Sequence, residues 1–288
     1  MKYEVIRSPA QWHGLRGQWN ALLADCRADQ LFMTWEWLDC WLRVQRSVTD
    51  LRIICVRGTG GELLGVAPFY VANYRLLGIL PYRMLRMIGD VDSGAEYQTW
   101  IARTSDEDRV CEVIVRAMCA LRSEWDLLWI PNLESWSGAH EPMVRALRAG
   151  RLGIRSRPRG FSTVALPADY QAFLASMSTN RRQQIRRNTK KILSKPGVEV
   201  RKVTTRDELG PALDALFRLH GKRWRSVGQD GVFDRNVKER EFYECFAPEA
   251  LARGWLAVYT LFDGSEPKAV QIGYVYGRAF LQLQEGFD

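Results

Sequence analysis

Residues 255–288 read WLAVYTLFDGSEPKAVQIGYVYGRAFLQLQEGFD, and this stretch decides the fold prediction. Three β-prone runs, at 255–262, 268–276 and 280–284, are separated by two short turns that contain glycine. This spacing predicts three antiparallel strands in sequence. An exposed sheet edge leaves rows of unpaired backbone N–H and C=O groups, so we expect further backbone along both edges. Because the sequence stops at Asp288, directly after the third run, we expect the domain to continue beyond it.

Composition is typical of a globular protein with two modest domains or one large one. The 288 residues are 47% hydrophobic and 26% charged. No apolar run approaches the roughly 20 residues of a membrane helix, and the N-terminus lacks the apolar core of a secretory signal. Six scattered cysteines form no CxxC pair and no Cys/His cluster. We therefore expect no metal site and no disulfide framework, and we predict a cytoplasmic protein.

The net charge of +8 is concentrated in one part of the chain. Residues 151–206 contain 14 Lys and Arg residues but only two acidic ones, Asp169 and Glu199. A local basic block of this kind favours contact with phosphates, an anionic polymer or an anionic cofactor.

The centre of the basic block is STNRRQQIRRNTKKILSK, residues 178–195, which predicts a helix ended by Pro196 and Gly197. A narrow apolar seam, formed by Ile185, Ile192 and Leu193, is expected to lie on a core. Cations then cover the outer face, and the candidates for polyanion contact are Arg182, Arg186 and Lys190. Three interpretations stay open: a solvated face, a surface for a polyanion, or a guide for a large anionic substrate or carrier such as tRNA. No aromatic residue interrupts the cations, which weakens single-strand stacking.

The first half of the chain predicts helices and a strand pair. Residues 125–130 (WDLLWI) predict a buried strand, and residues 160–167 (GFSTVALP) predict another. Between them the composition becomes basic, so the predicted domains are 1–158 and 159–288. The acidic loop at 89–97 lacks histidine and calcium-loop spacing, so its acidic side chains are expected to be solvated.

The two ends of the chain share an order of predicted elements. Residues 9–71 run helix, helix, strand, glycine-containing turn, strand, and residues 207–276 repeat that order. Residue identities between the two segments are few. The order predicts a duplicated α/β unit.

Four segments together resemble one family. They are LFMTWEWLDCWLRV (31–44), the basic helix at 178–195, LFRLHGKRWRSVGQDGVF (216–233) and IGYVYGRAFLQLQEGFD (272–288). These segments look like the GNAT-type acyltransferases of the CelD-like family of cellulose biosynthesis, which are similar to the tandem-GNAT Fem peptidyltransferases. The resemblance implies an α/β (α+β) fold with two tandem GNAT-like halves, whose mixed, largely antiparallel sheets are flanked by helices. The second half, 159–288, would be the acyltransferase half and would be incomplete at its C-terminus.

The function that the resemblance implies is acyl-CoA-dependent N-acyl transfer, with acetyl-CoA or another acyl-CoA as co-substrate. The acceptor would be an amino sugar, a polysaccharide precursor or a peptide amine. Two alternatives stay open: a Fem-like transferase that uses aminoacyl-tRNA, and a non-catalytic polyanion-binding protein. The family's glycine-rich pyrophosphate loop would be expected after Asp288, and no matching loop opens a helix within the 288 residues.

The same resemblance implies where the chemistry lies. The backbone of Leu283, Gln284 and Glu285 would hold the thioester carbonyl of the donor. Glu285 is the first candidate for the base or amine anchor, although an exposed end-of-strand carboxylate is an equal interpretation. Asp288 would position the acceptor, unless it only initiates a turn.

Further candidates lie on the predicted helix 207–227 and on the second strand. His220 is a candidate proton acceptor, but its apolar neighbours favour a packed, hydrogen-bonded core histidine. Trp224 would stack on the acceptor and Arg223 would bind a carboxylate or phosphate. Tyr274 is assigned to the same substrate-binding surface.

Overall fold

The computed structural model describes all residues, 1–288. It is a mixed α/β protein with two sheets flanked by helices, as predicted. The elements before residue 150 are β1 Lys2–Ile6, α1 Pro9–Gly14, α2 Arg16–Ala24, α3 Trp35–Val44, β2 Leu51–Arg57, β3 Leu63–Leu76, β4 Leu80–Met87, β5 Ile101–Ala102, α4 Glu107–Ala120, β6 Leu127–Trp129 and α5 His140–Ala149. The later elements are α6 Tyr170–Ala175, α7 Thr179–Leu193, β7 Val198–Lys202, α8 Arg206–Arg225, α9 Val232–Arg235, α10 Val237–Ala252, β8 Leu256–Asp263, β9 Glu266–Tyr276 and β10 Ala279–Phe287.

Internal contacts divide the chain into two compact units. The first unit contains 1–156, 236–253 and 276–279, and the second contains the rest. Helix α10 thus packs within the first unit although it lies late in the sequence. The division into domains 1–158 and 159–288 stays a prediction of the sequence.

The sheet of the first unit has the order β1-β2-β3-β4-β6, with β5 paired to β3. Strands β1 to β4 pair antiparallel, and β6 pairs parallel with β4. Strand β2 is buried along nearly its whole length because it lies inside the sheet. A continuous apolar run is the pattern expected of such a strand.

The core of the first unit is built on α3. Thr34 caps this helix by accepting a hydrogen bond from the Trp37 backbone N–H at 3.3 Å. Trp37 and Trp41 are completely buried. The Trp37 ring meets Phe242 and Phe246 of α10, each at a centroid distance of 4.7 Å. These tryptophans therefore serve packing, and edge-on aromatic contacts add to the burial energy.

The sheet of the second unit has the order β10-β9-β8-β7, and β10 is an edge strand. The predicted run of three strands is confirmed, with β8 and β9 antiparallel. Gly264 and Gly277, both at positive φ, form the two turns. Only glycine adopts this backbone region without a steric penalty, so the two glycines define where the strands end.

The two sheets share one chain order. Strand β1, three helices and strands β2 to β4 in the first are matched by β7, three helices and β8 to β10 in the second. The first pairing in each sheet, β1 with β2 and β7 with β8, is antiparallel. In the β2–β3 hairpin and in the β8–β9 hairpin the register of the pairing shifts just before the turn, at Val56/Arg57 and at Leu261/Phe262. The repeated order predicted from the sequence is therefore present.

Two strand predictions were wrong. Residues 160–167 form no strand, and their apolar side chains Val164 and Leu166 are exposed. Strand β7 ends the sheet beside β8, and the segment pairs with neither strand. The run 125–130 was expected to be buried, but β6 covers only Leu127–Trp129 at the sheet edge, with both end residues exposed.

The predicted seam of the basic helix was also wrong. Helix α7 forms within the expected bounds, capped by Ser178, but none of its residues is buried. Ile192 and Leu193 are exposed, and only Ile185 of the seam is half-buried. Three apolar side chains in 15 residues give too narrow a stripe to bury the helix.

The acidic loop differs from its prediction as well. The side chain of Asp90 is fully buried and accepts hydrogen bonds from Arg86 Nε at 2.6 Å and Tyr70 Oη at 3.0 Å. Asp92 accepts hydrogen bonds from Gln45 and from Asn236, the N-cap residue of α10. Burial raises the pKa of Asp90 to about 6, against the opposing effect of the Arg86 charge. These carboxylates therefore hold the loop to the first unit, where solvation was expected.

A carboxyl group with a raised pKa in the folded state stabilises the protein at low pH and loses that contribution as pH rises through the folded value. Between pH 7 and pH 4.5 we expect the wild type to gain stability over Asp90→Asn, with a ceiling of about 3 kcal/mol for two pKa units. Urea denaturation at both pH values measures the difference.

Asp126→Asn is the matched control, because hydrogen bonds from the Arg83 backbone and side chain lower the pKa of Asp126. Its contribution should shrink with acid, so the two variants should move in opposite directions relative to the wild type. Parallel behaviour of both variants would contradict the assignment.

Candidate functional site

Helix α8 positions the candidate site. It begins with a capping box, in which Thr205 and Glu208 satisfy each other's backbone N–H groups, with Glu208 Oε2 3.0 Å from the Thr205 nitrogen. Leu213, Leu216 and Phe217 recur along its buried face. His220 follows on that face, one turn from Leu216 and 95% buried.

Both ring nitrogens of His220 have hydrogen-bond partners. Nδ1 lies 2.9 Å from the carbonyl oxygen of Glu285 in β10, and Nε2 lies 3.3 Å from the backbone nitrogen of Val232 in α9. A carbonyl only accepts and a backbone N–H only donates, so the neutral ring carries its proton on Nδ1. This is the packed, hydrogen-bonded arrangement that the sequence favoured. In this geometry His220 ties β10 and α9 to α8, and its role in proton transfer stays a prediction.

Glycines allow the three elements to meet at His220. A Cβ on Gly286 would lie 2.4 Å from the backbone nitrogen of His220, and one on Gly231 would lie 2.7 Å from the His220 ring. Side-chain carbons do not approach other heavy atoms this closely. The chain therefore needs glycine at both positions for β10 and the α8–α9 connection to reach the histidine.

Aromatic rings close the remaining sides of His220. The Phe233 ring meets it edge-on at 4.9 Å between centroids, and Phe217 meets Phe233 at 4.6 Å. The Trp224 ring lies 6.1 Å away, near the end of α8. The imidazole is therefore fixed in orientation by packing as well as by hydrogen bonds.

The carboxylates at the end of β10, those of Glu285 and Asp288, are exposed, whereas His220 is buried. Glu285 gives its backbone carbonyl to His220 but exposes its side chain, which accepts a hydrogen bond from Gln282 at 3.0 Å. Asp288 forms ion pairs with Lys222 and, at 3.9 Å, with Lys268. The hydrogen bond from Lys222 holds the pKa of Asp288 below its usual value. Asp288 is thus a fixed negative charge at neutral pH.

The segment that builds this arrangement runs from α7 through β10. Residues 179–288 match the acetyltransferase (GNAT) domain. The match supports a transferase that uses an acyl-CoA and an acceptor, as members of this domain family do.

The whole chain also resembles solved structures in fold. One is a conserved protein of unknown function from Bacteroides thetaiotaomicron VPI-5482, with a TM-score of 0.50 and 12% identity over 99% of this chain and 80% of that one. At this identity the likeness concerns the fold alone. No curated protein matches the chain.

The GNAT segment gathers some of the predicted substrate-binding residues and separates others. The Arg223 guanidinium lies over the Phe287 ring at 5.3 Å, and Trp224 is 39% exposed beside it in sequence. Tyr274, in contrast, is completely buried in β9. Leu283 and Gln284, predicted to hold the donor thioester, are half-buried in β10.

Sequence reasoning missed four residues of the GNAT segment that shape the site: Phe233, Gly286, Lys222 and Phe287. The motif HGKRW contained a signal for Lys222, since a residue two positions after His220 turns to the solvent side of the helix. Nothing in the sequence signalled Gly286, because its requirement arises only where β10 meets the α8 backbone.

Three features bear on cofactor, metal and membrane binding. The strand-to-helix junction between β7 and α8, residues 203–205, contains no glycine, so the described residues offer no pyrophosphate loop there. No group of three or more His, Cys, Asp or Glu side chains is arranged to hold a metal ion. None of the helices combines the length and apolar character needed to cross a membrane.

Gly286→Ala should force β10 away from α8, because the added methyl would overlap backbone atoms of the helix. We expect a loss of about 1–3 kcal/mol in the free energy of unfolding, the usual range for overpacking. Gly210→Ala is the matched control, since a Cβ at this position of α8 meets nothing within 4 Å. Its effect on the free energy of unfolding should stay within about 1 kcal/mol, because the higher helix propensity of alanine is opposed by the crowding of its Cβ against Pro211. Urea denaturation measures both changes, and equal effects would contradict the close approach at Gly286.

Proposed function

We propose that the protein is a CelD-like, acyl-CoA-dependent N-acyltransferase, with acetyl-CoA as its expected donor. The acceptor is an amine on an amino sugar, a polysaccharide precursor or a peptide. The match of residues 179–288 to the GNAT domain supports the transferase class. The observation that carries the residue-level proposal is the bond from His220 to the Glu285 carbonyl.

That bond fixes the backbone of Glu285 while its carboxylate faces solvent. A general base must lie at a defined place within hydrogen-bond reach of the proton it removes. We assign Glu285 as the base or anchor for the acceptor amine, and His220 as the positioning residue behind it. Leu283 and Gln284 precede Glu285 in the same strand and are assigned to the donor thioester through their backbone.

Asp288 and the end of α8 are assigned to the acceptor. The carboxylate of Asp288 stays charged at neutral pH, so it can attract an ammonium group before the proton is removed. Trp224 offers an exposed indole on which a sugar ring or peptide can stack. Arg223 offers a guanidinium for an acidic group of the acceptor. Tyr274, which the sequence assigned to the same surface, is completely buried in β9, so no contact with the acceptor is assigned to it.

The reaction balances with these groups. A bound acyl-CoA supplies a thioester carbonyl that is open to attack by an amine. The amine nitrogen forms the new N–C bond, the C–S bond breaks, and the sulfur leaves as the free thiol. The acceptor, bound as an ammonium group, gives up two protons: Glu285 accepts the first, and the second passes from the attacking nitrogen to the departing sulfur. Alignment of amine and carbonyl on a fixed strand supplies much of the rate enhancement.

Glu285→Gln keeps the size and hydrogen bonding of the side chain but removes the base. We expect kcat/KM to fall about 100-fold or more, the usual contribution of general base catalysis. Thiol release from acetyl-CoA in the presence of candidate amines measures the rate, and a thermal shift with acetyl-CoA measures donor binding.

Glu199→Gln is the control, because Glu199 is an exposed strand carboxylate on β7 at the opposite end of the same sheet. It should leave kcat/KM unchanged. Unaltered activity in Glu285→Gln would contradict the role of Glu285 as the base. Failure of the wild type to bind acetyl-CoA would contradict the proposal that the protein uses an acyl-CoA.

A second candidate function is favoured by α7. Its cations include Arg182, Arg186 and Lys190, which recur every four residues, and no acidic side chain pairs with any cation of the helix. One turn of helix separates successive members by about 6 Å. Such a row suits a polyanion, either as the aminoacyl-tRNA donor of a Fem-like transferase or as the ligand of a non-catalytic protein.

Triple charge reversal, Arg182→Glu, Arg186→Glu and Lys190→Glu, tests this candidate. If α7 contacts phosphates, tRNA binding should weaken and the slope of log K against log salt should fall by about 3. The control reverses three exposed arginines of the first unit, Arg109, Arg116 and Arg148, with the same change in net charge. Equal loss in both triple variants would indicate a general charge effect and no site on α7.

A further inference from the structure

The β3–β4 hairpin exposes an apolar tip, residues 76–80. The exposed fractions are 56% for Leu76, 85% for Leu77, 71% for Ile79 and 57% for Leu80. Single exposed apolar residues are common on protein surfaces, but four large aliphatic side chains at one turn form a contiguous patch. Such a patch indicates contact with an apolar partner.

The turn itself does not need these side chains. Leu77 and Gly78 have φ of +53° and +75°, and Ile79 N–H bonds the Leu76 carbonyl at 3.2 Å. Positive φ at both central residues favours Asn-Gly and disfavours a branched aliphatic residue. Packing of the Leu77 side chain does not offset this strain, because most of its surface is exposed. Its apolar character therefore serves something outside the fold.

A polar and aromatic collar lies directly behind the tip. Tyr74 and Tyr82 are cross-strand partners whose rings stack at 5.5 Å between centroids. Beside them, Arg75 and Arg83 line an open cleft of about 700 Å³, and Arg83 pairs with Asp126 at 3.3 Å. Arg75 is exposed and has no acidic partner.

The order of these groups along the hairpin matches a lipid interface. Behind the aliphatic tip come Arg75, then the paired Tyr74 and Tyr82, and then Arg83. Membrane-contacting elements likewise place aromatic and cationic side chains at the level of the headgroups, next to their apolar part. Three residues separate Tyr74 from Leu77, which at about 3.3 Å per residue is roughly 10 Å. Interfacial elements bury their apolar face about 5–10 Å into the bilayer. The length of the tip therefore matches the depth to which such elements insert into a bilayer.

We propose that the β3–β4 hairpin inserts residues 76–80 into the surface of an anionic lipid bilayer, with Arg75 and the cleft beside it at the level of the headgroup phosphates. The partner is a membrane surface because exposure is greatest at the turn itself. A bilayer can enclose a protruding turn, whereas a flat protein surface would touch only its end. This peripheral attachment is independent of the acyl-transfer chemistry proposed for residues 179–288.

The test is flotation of the 288-residue protein with vesicles of phosphatidylcholine alone and of phosphatidylcholine with phosphatidylglycerol at 3:1. The wild type should float with the anionic vesicles and bind the neutral ones more weakly. Ile79→Asp should lower the bound fraction at least tenfold, and Arg75→Ser should reduce the preference for anionic vesicles. The control Val237→Asp places the same charge at an exposed position of α10 and should bind like the wild type.

Leu77→Asn separates membrane binding from folding. Asparagine suits the positive φ at this position, so the melting temperature should rise while vesicle binding falls. A structural role for Leu77 would lower the melting temperature instead. The proposal is overturned if the wild type does not float, if Ile79→Asp floats like the wild type, or if the wild type is a dimer by light scattering that Ile79→Asp dissociates without any change in vesicle binding.

Discussion

The geometry of the candidate site depends on the close approach of β10 to α8 at His220. One imidazole holds the Glu285 carbonyl on one side and the Val232 N–H on the other, and it lies in a space that glycines leave open. An edge strand has backbone groups without strand partners, and here a side chain satisfies one of them. The end of β10 is therefore held in place without a further strand beside it.

In the proposed function, His220 positions the site and the carboxylates at the end of β10 take part in the chemistry. The histidine, which by residue type is the usual proton acceptor near neutral pH, is buried and engaged through both nitrogens. The carboxylate of Glu285 is exposed, and that of Asp288 is charged at neutral pH and paired with Lys222. These two carboxylates are the groups for which we propose contact with ligands. A buried polar network that is fully satisfied is rigid, so the groups attached to it keep a defined place.

The first unit uses its polar and apolar groups in another way. Asp90, Arg86 and Tyr70 form a buried cluster at the base of the β3–β4 hairpin, whereas the tip of the same hairpin presents aliphatic side chains to solvent. Burial of a carboxylate requires partners of this kind, since an unpaired charge in the interior is strongly unfavourable. The base is thus anchored while the tip is free to meet a surface.

Elements with local signals were predictable from the order of the amino acids alone. The strands of residues 255–288, the basic helix and the repeated element order all follow from periodicity, turn glycines and helix-ending residues. The order of the amino acids did not reveal which segments pack together. Residues 160–167 are strand-like but have no neighbouring strand, and α7 has an apolar seam but no core beneath it. Asp90 is bound by Tyr70, which lies 20 residues away in the sequence. The close approach of Gly286 to α8 and the bond between His220 and the Glu285 carbonyl become visible only in the folded chain. The reason is physical: backbone preference acts over a few residues, whereas burial and hydrogen bonding depend on which distant segments the fold brings together.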